Sequence, residues 1–168
     1  MSDVAPAAPS AAQQQLIDQF LDSLWLEKGL SKHTRSAYRT DLRSLAGWLE
    51  GRGGALQRAS RADLMAYMGW RLAAGYQARS SARMLSCVRS FYRYLLRQQL
   101  ISEDPTRDVA MPKLGRPLPK SLSEADVERL LAAPDTEDSL GLRDRCMLEV
   151  LYATGLRVSE LVGLRLDQ

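Results

Sequence analysis

Histidine is almost missing from this chain of 168 residues: His33 stands alone, so no multi-histidine zinc site can be built. Cysteine is scarce too. Cys87 and Cys146 both fall inside helical patterns, where a small buried hydrophobe is favoured over a disulfide or a metal ligand. No window approaches 18 uninterrupted apolar residues, which excludes a membrane-spanning helix and any membrane partner of that kind. Residues 1–13 are small and Ala/Pro-rich. They lack the basic and apolar regions of a signal peptide, so they read as a disordered tail on a cytoplasmic protein. Strand-like alternation and internal repeats are also missing. One absence points somewhere: residues 64–102 hold six arginines and not one acid.

The formal net charge of +3 hides that asymmetry. Residues 31–102 carry 13 Lys/Arg against Asp41, Glu50 and Asp63, a balance of +10. From residue 103 onward nine basic residues face thirteen acids, a balance of −4. A basic half suggests an anionic polymer as partner, the plain alternative being a solvated basic face.

Apolar residues recur at helical spacing throughout, which predicts an all-α chain. Leu16, Ile17, Phe20, Leu21 and Leu24 mark a first helix that stops near Gly29. Ser31 is placed to cap a second helix running to Glu50. Ser60 with Asp63 resembles a capping box and opens a third, stopped by Gly75. Ser80 or Ser81 opens a fourth that runs to about Gln98. Residues 102–120 then carry four prolines and read as an interdomain linker. Arg107, Lys113, Arg116 and Lys120 would suit a strap across phosphates, or simply a solvated linker. Beyond it Ser123 and Asp126 open a further helix ending at Pro134. A second covers about 140–153, and a short one runs from Arg157 to Leu164.

Two helices carry basic stripes. Lys32, Arg35, Arg39 and Arg43 fall within an arc of about 80° on the second helix. Arg79, Arg83, Arg89, Arg93 and Arg97 fall within about 120° on the fourth, with Ser86 and Ser90 between them and Ser81 as a further candidate on the same helix. Like charges at these spacings repel, and the fourth helix has no acid of its own to relieve them. A row of phosphates would relieve them, with counterion release driving binding. Arginine suits bidentate contacts to phosphate or guanine, and the serines can donate to either. These twelve residues are the candidate DNA contacts.

The stretch Ala153-Thr154-Gly155-Leu156-Arg157-Val158-Ser159-Glu160-Leu161 stops one helix and starts another. An arginine beside unpaired backbone N–H groups can hold an anion, and in phosphoryl transfer it would neutralise nonbridging oxygens. The plain alternative is a surface arginine beside Glu160.

The residues 148–164, LEVLYATGLRVSELVGL, resemble the first active-site box of the tyrosine recombinases, the family of phage integrases and Xer proteins. Residues 17–42, 80–97, Asp104-Pro105, 119–134 and 142–161 resemble the same family, its XerD type more closely than its XerC type. The resemblance implies a four-helix, SAM-like core-binding domain at 14–101, a linker at 102–120 and the helical start of a catalytic domain at 121–168. It implies that the second and fourth helices face the major groove of duplex DNA carrying a Xer-type recombination site. Arg157 would be the first catalytic arginine on the scissile phosphate. The family cuts one strand through a tyrosine, passes through a 3′-phosphotyrosine and needs no metal, ATP or other cofactor. By the same resemblance the partners are a XerC-type recombinase in a heterotetramer and an activating DNA translocase, in the resolution of chromosome dimers at cell division. The family's lysine, His-x-x-Arg box and nucleophilic tyrosine have no counterpart up to Gln168, so this chain is expected to bind DNA without cutting it. Two other readings stand beside this one. A phage or transposon integrase would have its own attachment sites. A standalone helical regulator would need neither the linker nor the Arg157 box.

Overall fold

Seven α-helices and one 3₁₀ turn make up the regular structure of the computed structural model, which describes residues 8–112, 115 and 121–165. No strand occurs among the described residues, as the helical periodicity predicts. The chain divides into two units, residues 1–115 and 116–168.

In the first unit, helix α1 spans Ala11–Lys28 and ends at Gly29, whose φ of 59° is the left-handed conformation that glycine adopts without strain. Helix α2 spans Lys32–Glu50, and the Ser31 hydroxyl accepts from the Thr34 N–H at its start. A 3₁₀ turn at Leu56–Arg58 leads to α3, Arg61–Ala73, opened by the reciprocal Ser60–Asp63 box. Helix α4 spans Ala78–Arg97. Its apolar face, with Leu85, Val88, Phe91 and Leu95, packs with Ile17, Phe20 and Leu21 of α1 and Leu42, Leu45 and Leu49 of α2. Phe20 meets Phe91 edge-on at 5.3 Å between ring centres.

Three boundaries in the first unit differ from expectation. The stretch read as tail through residue 13 turns helical at Ala11. Ser10 donates to the Glu50 carboxylate from its N–H at 2.8 Å and from its hydroxyl at 2.5 Å. Gln13 is buried, and its side-chain carbonyl accepts from the Leu56 N–H. Helix α4 starts at Ala78 rather than at Ser80 or Ser81, with no side-chain cap. Both serine hydroxyls are engaged by the buried Arg71, whose Nε donates to Ser81 at 3.3 Å and Nη2 to Ser80 at 3.2 Å. The proline-rich segment also packs before it leaves the unit. Asp104 accepts from both the N–H and the hydroxyl of Thr106, and Thr106 and Val109 are buried. Helix α4 has already ended at Arg97, and the segment that follows keeps Thr106 and Val109 in the core. The strap residues Lys113, Arg116 and Lys120, the tail residues 1–7 and the last residues 166–168 lie outside the described residues.

The second unit holds α5 at Glu124–Ala132, α6 at Ser139–Thr154 and α7 at Val158–Leu161. Ser123 and Asp126 form the expected capping box, and Asp138 caps α6. Gly155 ends α6 in the left-handed conformation, φ 68°. Gly141 lies so near the Asp135 backbone that a Cβ would come within 1.8 Å of its carbonyl oxygen. Helix α7 is one turn, shorter than the span from Arg157 to Leu164. None of the three helices buries a residue: Leu148, Leu151 and Leu161 are half-buried, while Val162 and Leu164 are exposed.

Candidate nucleic-acid interface

Helices α1 and α2 run antiparallel, joined by their Gly29-Leu30-Ser31 turn, and the register of that pair disposes of two candidate arginines. Arg39 donates through Nε and Nη2 to Asp18 at 3.1 and 3.0 Å. One turn away Arg35 donates to Asp22 at 2.9 Å, with its guanidinium 5.8 Å from the centre of the Trp25 ring. Burial works against the Asp18 anion, but hydrogen bonds from Gln14 and Arg39 hold it below the usual carboxylate range. Lys32 and Arg43, the other members of the stripe, are exposed and have no ion-pair partner among the described residues.

Helices α2 and α4 also run antiparallel along their contact. The Cys87 thiol donates to the Tyr38 carbonyl at 3.8 Å, and one turn on Arg83 reaches Asp41. Asp41 Oδ2 accepts from Nε at 3.2 Å and Oδ1 from Nη2 at 3.1 Å. Burial raises Asp41 above the usual carboxylate range, and Arg83 offsets only part of that. At the other end of α4, Arg97 lies 3.3 Å from Glu27 of α1. Exposed along one face of α4 are Arg79, Arg83, Ser86, Arg93 and Arg97, with Ser90 half-buried among them. Offsets of 3 and 4 keep this row on one side of the helix.

Two candidates lie off that row. Arg89 turns to the proline-rich segment, where Nη2 donates to the Val109 carbonyl at 2.6 Å. Ser81 is 7% exposed, its hydroxyl already accepting from Arg71. Ser86 faces outward while donating to the Ala82 carbonyl of its own helix.

The acids that grip this surface are what sequence reasoning missed. Repulsion along α4 is relieved inside the fold by Asp41 and Glu27, which come from other helices. Asp18 and Asp22 stand four apart on α1 and so share a face, a readable signal. Their partners depend on helix register, which no local pattern contains. The arginines left without an ion-pair partner among the described residues, Arg43, Arg79 and Arg93, are therefore the freest to meet an anion.

In the second unit Arg157 is the N-cap residue of α7. The Glu160 carboxylate accepts from the Arg157 N–H and from its Nη1, both at 2.8 Å. Hydrogen bonds from the Arg157 backbone and side chain hold Glu160 below the usual carboxylate range. The Arg157 side chain is 81% exposed. Glu160 thus occupies both the N–H and the guanidinium of Arg157. No group of three or more His, Cys, Asp or Glu that could hold a metal occurs among the described residues. No helix among them is long and apolar enough to cross a membrane.

Residues 17–99 match the N-terminal SAM-like domain of phage integrases, and residues 120–168 match the phage integrase family. The tyrosine recombinase XerD of Pseudomonas aeruginosa is 63% identical over 159 residues, covering 95% of this chain and 53% of the relative. That of Pseudomonas putida is 60% identical, covering 94% and 53%. That of Shewanella oneidensis is 54% identical, covering 91% and 51%. The chain spans about half the length of these relatives. With a SAM-like four-helix unit and a matching start of the second unit in one chain, this protein belongs to the phage integrase family of tyrosine recombinases.

Proposed function

We propose that this chain is the DNA-gripping part of a XerD-type site-specific recombinase, holding duplex DNA against α2 and α4. The observation that carries the reading is the exposed row of α4 beside Lys32 and Arg43 of α2, which leaves several cations without an ion-pair partner among the described residues. Such cations gain most from phosphates, because binding releases condensed counterions without first breaking an ion pair. Arg35, Arg39 and Arg97 are already paired with partly exposed acids, and Arg89 is committed to a carbonyl, so their contribution is smaller.

In the complete protein, Arg157 leaves Glu160 and places its guanidinium fork on the nonbridging oxygens of the scissile phosphate. A tyrosine of the complete protein attacks the phosphorus and the 5′-hydroxyl leaves; a partner strand's 5′-hydroxyl later attacks the 3′-phosphotyrosine, breaking the tyrosyl O–P bond and releasing the tyrosine. Strand exchange then proceeds in a heterotetramer with a XerC-type recombinase, started by a DNA translocase.

The test is a salt titration of binding to a 30-bp duplex. Five phosphate contacts predict a slope of log K against log salt of about −4 to −5. Arg43→Ala with Arg79→Ala should flatten the slope by about 1.8, and Arg35→Ala with Arg39→Ala by less than half as much. Binding that ignores salt, or is untouched by the first pair, removes the assignment of this face.

A further inference from the structure

One member of the DNA-facing row is built differently from the rest. The carboxylates on Arg35, Arg39 and Arg97 are each at least two-fifths exposed, so water screens those pairs and the arginines can exchange partners. Asp41 is 4% exposed, while the Arg83 side chain it holds is 51% exposed. A carboxylate withdrawn from water this far is costly, and an apolar side chain there would pack without that penalty. Its two oxygens fix Arg83 through Nε and Nη2. A guanidinium has five N–H donors. Those remaining are both hydrogens of Nη1 and one of Nη2, and one from each nitrogen makes a second fork on the adjoining end-on edge.

We propose that Asp41 is a positioning residue, holding Arg83 side-on so that its outer fork reads a base edge instead of neutralising a phosphate. The proposal rests on the DNA-binding reading above. A phosphate approaching Arg83 meets a cation whose charge Asp41 already balances, and the carboxylate repels it from just behind. A guanine edge offers two neutral acceptors, O6 and N7, in the spacing of that fork, and is not repelled. Arg43, Arg79 and Arg93 are held by no carboxylate in an ion pair among the described residues, and suit phosphates. The row therefore combines one clamped arginine that reads sequence with free arginines that supply affinity.

The 168-residue chain is tested on two probes. One is a pool of 30-bp duplexes with a randomised centre, sequenced after selection; the other is a single 30-bp duplex of arbitrary sequence, titrated with salt. Circular dichroism melting confirms that each variant is folded. Arg83→Lys keeps the charge and a partner for Asp41 but removes the fork. It should lose the preference for guanine at one position by about 10-fold, with an unchanged salt slope. Asp41→Asn keeps the shape but frees the charge. It should weaken that preference and steepen the slope by about 0.9. The proposal is overturned if Arg83→Lys keeps the wild-type base profile, or if Asp41→Asn moves neither profile nor slope. A wild type that binds with steep salt dependence but selects no base also overturns it and leaves the DNA-binding reading standing. A wild type that binds neither probe removes both.

Discussion

Asp41 takes two hydrogen bonds from Arg83 at 3.2 and 3.1 Å, yet the carboxylate is buried and the guanidinium stands half in solvent. The two ends of this pair are therefore not equivalent. Arg83→Ala strands a buried carboxylate and should cost about 3 kcal/mol. Asp41→Asn removes a buried charge whose ionisation opposes folding and leaves an arginine that water can solvate, so it should cost far less. Urea denaturation of both variants checks this, and equal losses would contradict the asymmetry.

Acid should act on Asp63 and Asp41 in opposite directions. Hydrogen bonds from the Ser60 backbone and hydroxyl hold Asp63 below the usual carboxylate range. Its contribution is present above the unfolded-state pKa of about 4 and is lost as pH falls through the lower folded value. Burial holds Asp41 above that range, so its ionisation opposes folding, and the fold recovers that loss as pH falls through the raised value. Melting curves between pH 3 and pH 7 should show a shallower acid loss in Asp63→Asn and a steeper one in Asp41→Asn. At neutral pH, Ser60→Ala should cost about 1 kcal/mol through the lost cap.

Tyr92 donates to the Leu56 carbonyl at 2.8 Å inside the core. Phenylalanine at this position leaves that carbonyl unsatisfied and should cost about 1–3 kcal/mol. Burial also pushes the phenol far above its ordinary range. In an alkaline absorbance titration, Tyr92 should ionise only as the protein unfolds.

Val109 belongs to the core although it follows the proline at 105. Val109→Ala should destabilise the first unit by about 2 kcal/mol. A fragment ending at residue 101 should melt well below one ending at residue 115. Matching melting temperatures would show that residues 102–112 merely rest on the surface.

Hydrogen exchange should separate the two units. Helix α4 buries ten of its residues, while α5, α6 and α7 bury none. Amides of α6 should therefore exchange far sooner than those of the central turns of α4. Comparable protection in both helices would mean that α6 is stabilised by something other than apolar burial.

Much of this protein is readable from local chemistry. The capping pairs Ser60–Asp63 and Ser123–Asp126 span three residues, and Gly29 and Gly155 end helices through their own conformation. A helix boundary set by atoms one turn apart is visible in a line of letters, as is a stripe of arginines at offsets of 3 and 4. The periodicity of Leu85, Val88, Tyr92 and Leu95 likewise names the buried face of α4 without reference to any partner. The state of each arginine was not readable in this way. Arg39 finds its acid 21 residues away, Arg83 finds one 42 away, and Arg97 one 70 away. Nor could a pattern of letters show that Ala11 is helical because Ser10 meets Glu50, or that Val109 is core. Helical spacing fixes direction around an axis only. Which charges are cancelled, and which remain for a partner, depends on how neighbouring helices register against one another, and side-chain packing in three dimensions sets that register.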